Sequence, residues 1–232
     1  MTVREKLVQT AKNVPKVFAA GKTAECNRFW DGFKETALAS YTHKYLFAGA
    51  GWNDNTFSPT FSISPNNVEQ FFRECKIVDL AGILEKNGVV FDFSNAVNCD
   101  SFAYQSTIIR FPFLDFANAS RLSNCFAYLR GEDVHISLNI SDSGNQKITS
   151  LFDNSPGLTE LRLTGTVGQD GLNLQWSTKL SKASIESVVN ALSDTAAGKT
   201  VTFSKTAKEA AFTAEEWAAL IATKPNWTIS LA

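Results

Sequence analysis

The chain is poor in the residues that carry most metal and nucleophile chemistry. Its 232 residues include two histidines and four cysteines, and Cys26, Cys75, Cys99 and Cys125 never fall at C-x-x-C spacing. A zinc site is therefore not expected. There is no G-x-S-x-G turn and no Gly-rich phosphate loop, so the sequence names no nucleophile and no cofactor. Neither charge sign dominates: the formal net charge is -1, which removes the basic footprint of a nucleic-acid binder. No stretch approaches the roughly 20 apolar residues needed to span a bilayer. The start, Met1-Thr2-Val3-Arg4-Glu5-Lys6-Leu7, is charged and lacks the apolar core of a signal peptide. The expectation is a protein made in the cytoplasm without an export signal, with no membrane or nucleic-acid partner.

What the chain has in excess is phenylalanine, 18 copies, and part of it is periodic. Phe102 in Cys99-Asp100-Ser101-Phe102-Ala103-Tyr104, Phe126 in Ser123-Asn124-Cys125-Phe126-Ala127-Tyr128 and Phe152 in Thr149-Ser150-Leu151-Phe152-Asp153-Asn154 are spaced by 24 and 26 residues. After each comes a β-rich run, near Ile109, Val134 and Leu161. A period of that size marks units that bury their apolar edge only by stacking on the next. Most of the Phe is then read as an interior spine. Cys125 falls level with Ser101 and Leu151, in a slot read as a buried free thiol, with a disulfide left open.

Three segments follow. Residues 1–40 read as an N-terminal helix for attachment or oligomerisation, because Val3, Leu7, Thr10, Val14 and Val17 alternate by four and three, a heptad seam. Val3, Leu7, Val14 and Val17 are the residues expected to make a homo-oligomer. Residues 41–88 read as a small β-containing cap over the open end of the repeats. Residues 89–232 read as the repeats themselves, with runs beginning at Val89, Ile109, Val134, Leu161, Val201 and Trp227. An inserted helix is expected after Ser181, and another from the capping box Thr213…Glu216. The fold expected is α/β, a solenoid with a parallel β-sheet.

Alternation within the runs separates an inward from an outward set. One outward row is Val90, Arg110, His135, Arg162, Thr202 and Thr228. A second is Asp92, Pro112, Ser137, Thr164, Ser204 and Ser230. Stacked parallel strands would turn each row into a ladder. Arg110, His135, Ser137, Arg162, Thr164, Thr202 and Thr228 are the candidate binding residues. Uncharged hydroxyl ladders flanked by aromatics suit carbohydrate, which takes hydrogen bonds plus apolar ring contact.

Leu158-Thr159-Glu160-Leu161-Arg162-Leu163 fits L-x-x-L-x-L. With the Phe-Ala-Tyr and Cys-Phe positions it resembles the BspA-type leucine-rich repeats of bacterial surface proteins, over about residues 89–165 and more loosely over 200–232. In that alignment Asn98 stands where the later repeats have Leu122 and Ile148. Val14-Pro15-Lys16-Val17-Phe18, Phe47-Ala48-Gly49-Ala50-Gly51-Trp52, Trp176-Ser177-Thr178-Lys179-Leu180 and Lys224-Pro225-Asn226-Trp227 extend the similarity. Together they resemble phage and prophage proteins of Gram-positive gut bacteria that join an N-terminal helix to leucine-rich repeats. The resemblance implies a virion structural protein, a fibre or decoration protein, located in the virion. Its implied partners are other virion proteins and a host-surface glycan or protein. It carries over no catalytic residues.

Two other functions fit the same sequence. One is a bacterial cell-surface adhesin. The other is a polysaccharide-degrading enzyme, for which Asp92, Asp115 and Glu132 are the available carboxylates. No spacing singles out a catalytic pair among them, and the expectation is a protein that is not an enzyme.

Overall fold

The computed structural model describes residues 47–50, 62–141 and 147–232. The proposed N-terminal helix, with Val3, Leu7, Val14 and Val17, lies outside the described residues, as does part of the proposed cap. The described chain is mixed α/β, with four helices and three small sheets whose paired strands all run parallel. No helix among the described residues is long and apolar enough to cross a membrane.

The strands are β1 (Leu114–Phe116), β2 (Arg121–Ser123), β3 (Val134–Ile140), β4 (Lys147–Thr149), β5 (Leu158–Gly165), β6 (Asn173–Leu174), β7 (Lys199–Phe203) and β8 (Trp227–Leu231). The sheets are β1-β3-β5, β2-β4 and β6-β7-β8. The runs at Val89 and Ile109 contribute isolated bridges, Ile63 with Phe91 and Arg110 with both Asp79 and His135, rather than strands. The Val201 and Trp227 runs are strands, but they pair in a sheet of their own with β6.

Between strands the chain follows a recurring turn. Gln70, Ser101, Asn124 and Ser150 have φ of 57°, 56°, 55° and 51°, and four residues later Glu74, Gln105, Tyr128 and Asn154 have φ of 55°, 58°, 58° and 49°. Non-glycine residues seldom adopt this left-handed region, so its return at matching places identifies equivalent positions. The backbone links them: Phe72 N–H donates to Phe102 C=O (2.7 Å), Ala103 N–H to Cys125 C=O (2.7 Å) and Phe126 N–H to Leu151 C=O (2.9 Å). Each segment's polar backbone is thus satisfied by the next segment, as a buried backbone requires. The same turn at Gln70–Glu74 lies inside the stretch that the sequence assigned to a cap.

These equivalences correct the sequence alignment by one residue. Phe102 occupies the place of Cys125, one residue before that of Phe126, so the first step is 23 residues. Asn98 bridges Arg121, which sets Cys99 beside Leu122 and Ile148. All three are buried, so an apolar slot is filled in each segment. The sequence aligned Phe with Phe because the rings look alike; the structure aligns backbone turns.

The rings nevertheless touch in series. Phe102 and Phe126 lie 6.0 Å apart, and Phe126 and Phe152 stack at 5.4 Å with planes 14° apart. Phe71, Phe72 and Phe47 extend the contacts in the other direction. Every described Phe except Phe113 is buried. Burying such a ring stabilises by about 1.5–3 kcal/mol, and the edge and stacked geometries add to that.

Helix α1 (Leu80–Asn87) starts at Asp79, whose Oδ1 accepts from the Gly82 N–H (2.8 Å), and stops at Gly88 at φ 61°. Helix α2 (Lys182–Ala191) is capped by Ser181, and α4 (Ala214–Ala222) by the Thr213–Glu216 box, both as read from the sequence. Helix α3 (Lys205–Ala211) was not expected. It is one short stretch of strong helix formers with Ser204 as its N-cap, and only Ala207 of it is buried, so it has no apolar period to detect. Lys224, nearly buried, donates to Leu192 C=O (2.6 Å) and Asp194 Oδ1 (2.7 Å) just before β8 begins.

Candidate functional site: a polar groove between β3, β5 and helix α2

Strand β5 begins with Leu158-x-x-Leu161-x-Leu163. A spacing of three would place Leu158 and Leu161 on opposite faces of a regular strand. A bulge resolves this: Val134 pairs with Leu158, but His135 pairs with Glu160, so one residue is skipped. All three leucines are then buried, and Glu160 and Arg162 project outward beside β3. Bulges re-aim side chains in this way.

The bulge changes the expected ladder. His135 stands level with Arg110 on one side and Glu160 on the other, not with Arg162; Arg162 is level with Ser137. Thr164 pairs with Asn139, whose Nδ2 donates to Asp115 Oδ1 (2.9 Å). Thr202 pairs with Ser230, their hydroxyls 2.8 Å apart, and Thr228 pairs with Thr200. Thr202 and Thr228 therefore sit on different rungs of the β6-β7-β8 sheet, and the proposed single ladder is divided. Arg110, His135, Ser137 and Arg162 share one sheet surface; Thr164 is at its far end.

A groove of about 390 Å³ follows that surface, bounded by His135, Ser137, Glu160 and Arg162 from the sheet and by Ser184 and Ser187 from α2. The helix side was missed in the sequence reading. Its only signal is the three-residue spacing of Ser184 and Ser187, which puts both hydroxyls on one helix face. Leu161 N–H donates to Ser184 Oγ (2.9 Å) and Leu163 N–H to Ser187 Oγ (2.9 Å). The helix thus closes the strand edge. Glu160 Oε2 accepts from Ser181 Oγ (2.9 Å) and Ser184 Oγ (3.2 Å).

At the mouth, His135 Nε2 lies 3.2 Å from Asp133 Oδ1, and Thr159 Oγ1 donates to the same oxygen (2.8 Å). The Thr159 hydroxyl, followed by His135, holds the Asp133 carboxyl below its ordinary range. Arg110 pairs with Asp79 (3.4 Å) and Glu85 (3.6 Å) from α1. Arg162 brings a guanidinium to the groove lining beside the hydroxyl of Ser137. The groove offers hydroxyls, an imidazole, a carboxylate and a guanidinium, but among its lining residues no exposed phenyl or indole ring. It can hydrogen-bond and pair charges; it lacks the flat apolar contact that the sequence reading associated with sugar.

Asp92 and Asp115 border a different groove, beside Phe113. Asp92 accepts from the Ser94 N–H (2.9 Å) and from Ser64 Oγ (3.1 Å). Comparison with protein-family models, curated proteins and solved structures gives no match to this chain.

Proposed function

We propose that this chain is a leucine-rich-repeat solenoid serving as an attachment component of a phage particle, of the fibre or decoration type, and that it is not an enzyme. The observation that carries this reading is the recurrence of one turn, with its paired left-handed residues, bonded segment to segment along a shared Phe core. Repeats of this kind build extended surfaces suited to binding. The His135–Ser137–Glu160–Arg162 groove is the surface for another virion protein: its exposed groups are polar and charged, and Arg in particular favours planar partners such as carboxylates. The N-terminal heptad seam would supply self-association, and the host surface is the second partner.

The test has two parts. Purified particles should contain the chain by mass spectrometry, with antibody labelling on intact particles. Recovery on bacterial cells and never in particles would instead favour a cell-surface adhesin. In the full chain, Arg162→Ala with His135→Ala should abolish incorporation into particles, and Leu7→Asp with Val14→Asp should lower the solution mass to that of a monomer. A doubly substituted groove that still incorporates normally rejects the groove as the attachment surface.

A further inference from the structure

Away from that groove, the recurring turn builds a second surface. The residue closing each turn is left-handed and outward: Glu74, Gln105, Tyr128 and Asn154. The residue after each is buried: Cys75, Ser106, Leu129 and Ser155. Ser155 Oγ donates to Phe126 C=O (2.7 Å), and Ser177 Oγ donates to Ser155 C=O (3.2 Å). Ser177 thus abuts Ser155, which brings Trp176, the residue before it, close to the end of the Asn154–Ser155 turn, although Trp176 is not itself left-handed. One position earlier in their turns are Arg73 and Tyr104.

Arg73, Tyr104 and Tyr128 form a ridge, with Trp176 in the next turn. The Arg73 guanidinium lies 5.5 Å from the Tyr104 ring centre, and Tyr104 and Tyr128 rings are 5.4 Å apart. Tyr128 is 39% exposed and Trp176 50% exposed. Beside them runs a groove of about 430 Å³ whose lining includes Gln105, Tyr128, Arg130, Glu132, Asn154 and Lys179.

We infer that this ridge and groove are a binding site for a linear polysaccharide, with Tyr128 and Trp176 as stacking faces. The exposed large apolar residues at this surface are aromatic; of the exposed aliphatic ones, Val78 and Val90 flank α1 and Leu231 ends β8. An exposed aromatic face with a polar rim suits the C–H face of a sugar ring better than it suits a protein core, which needs a desolvated apolar centre. Gln105 and Asn154 each offer a donor and an acceptor in one plane, matching a sugar's vicinal hydroxyls. Segments that repeat along the ridge give an extended sugar chain a contact at each step. This surface supplies the aromatic contact that the β3–β5 groove lacks. The inference gives the host-attachment reading a ligand class, yet needs neither the β3–β5 groove nor a virion location.

The test uses the full chain against cello-, manno-, xylo- and chito-oligosaccharides and purified bacterial capsular and cell-wall polysaccharides, read by tryptophan fluorescence and calorimetry. At least one member should bind. Trp176→Ala and Tyr128→Asn should each weaken it about tenfold; asparagine suits the left-handed backbone at 128. Trp176→Phe, which keeps a ring, should retain most of the affinity. Arg162→Ala should leave it unchanged. A blank panel overturns the inference, as does a bound polysaccharide indifferent to both ridge substitutions. Tyr128-dependent binding of a purified virion protein with a blank panel assigns the ridge to protein docking and also overturns it. Particle incorporation with no sugar binding rejects this inference alone; sugar binding without incorporation rejects only the virion reading.

Discussion

The Ser187 hydroxyl accepts a hydrogen bond from the Leu163 N–H at 2.9 Å and donates one to the Leu163 carbonyl at 3.0 Å. A single side chain thereby satisfies both backbone groups of one residue at the edge of β5. Thr159 C=O accepts from the Ser181 N–H (3.0 Å), and Val167 N–H donates to Ala191 C=O (2.7 Å). An open strand edge is a hazard for unwanted pairing, and here a helix takes the place of the next strand.

Replacing Ser187 by alanine leaves both Leu163 groups without that partner. We expect a loss of about 1–3 kcal/mol, measured by urea unfolding. Asn190→Ala, at an exposed position of the same helix, should lie within about 0.5 kcal/mol of the parent. Equal values for the two would mean that solvent replaces the serine at no cost.

The stacked rings give a second prediction. Phe126→Ala removes a fully buried ring that touches Phe102, Phe111, Phe116 and Phe152. The expected cost is about 3–5 kcal/mol. Phe113→Ala, at the exposed Phe, should cost under about 0.5 kcal/mol. Thermal midpoints of the two variants separate these outcomes.

Ser106 and Ser155 occupy matching places with opposite surroundings. Ser106 Oγ is fully buried and has no hydrogen-bond partner among the described residues. Ser155 Oγ donates to Phe126 C=O and accepts from the Leu129 N–H at 3.2 Å. Ser106→Ala should therefore be neutral or raise stability by about 1 kcal/mol, whereas Ser155→Ala should lower it by about 1–3 kcal/mol. A destabilised Ser106→Ala would reveal a bound water at that hydroxyl.

Burial pushes the Cys75 thiol up to about 12, and the Cys99 and Cys125 thiols well above their ordinary range. All three are free and buried, and only the thiolate is reactive. Peptide mapping after iodoacetamide at pH 8 should find them unmodified in the native protein and modified in urea. Native labelling at any of the three would contradict the packing.

The Asp92 carboxyl is held below its ordinary 3.8, first by hydrogen bonds from the Ser94 hydroxyl and N–H and further by Ser64. A lowered carboxyl stabilises the fold above its unfolded value, and that contribution is lost as the pH falls through the folded value. Between neutral pH and about pH 5 it should be constant; below 3.8 it should decline. Asp92→Asn should flatten this part of the acid limb in a pH series of urea midpoints. An unchanged acid limb would place the pH dependence in other groups.

The legible parts of the fold were those written locally. Ser181 and the Thr213–Glu216 pair announced two helices because caps are made within four residues. Val134, Ile136, Leu161 and Leu163 announced two strands because alternation is a property of one strand alone. Phe102, Phe126 and Phe152 were recognised as interior because no other disposition suits so many rings. The site was less legible. Arg162 was placed beside His135 because equal strand starts were assumed, and the skipped residue at Thr159 moved it beside Ser137. Thr202 and Thr228 do not continue the expected ladder, because among the described residues their strands pair with β6 and with each other. The pairing of Ser184 and Ser187 with β5 and the Tyr104–Tyr128 contact are not legible in sequence, because their neighbours come from segments more than twenty residues away.

The amino-acid order by itself determined the interior place of Phe102, Phe126 and Phe152, where two of the helices begin and that units of about two dozen residues recur, since each follows from apolar spacing and backbone chemistry over short range; Ser204, read as outward, is buried. Only the tertiary structure decided which outward residues become neighbours. Parallel pairing has no turn to fix its register, so one bulged residue, or one helix standing in for a strand, changes every contact beyond it.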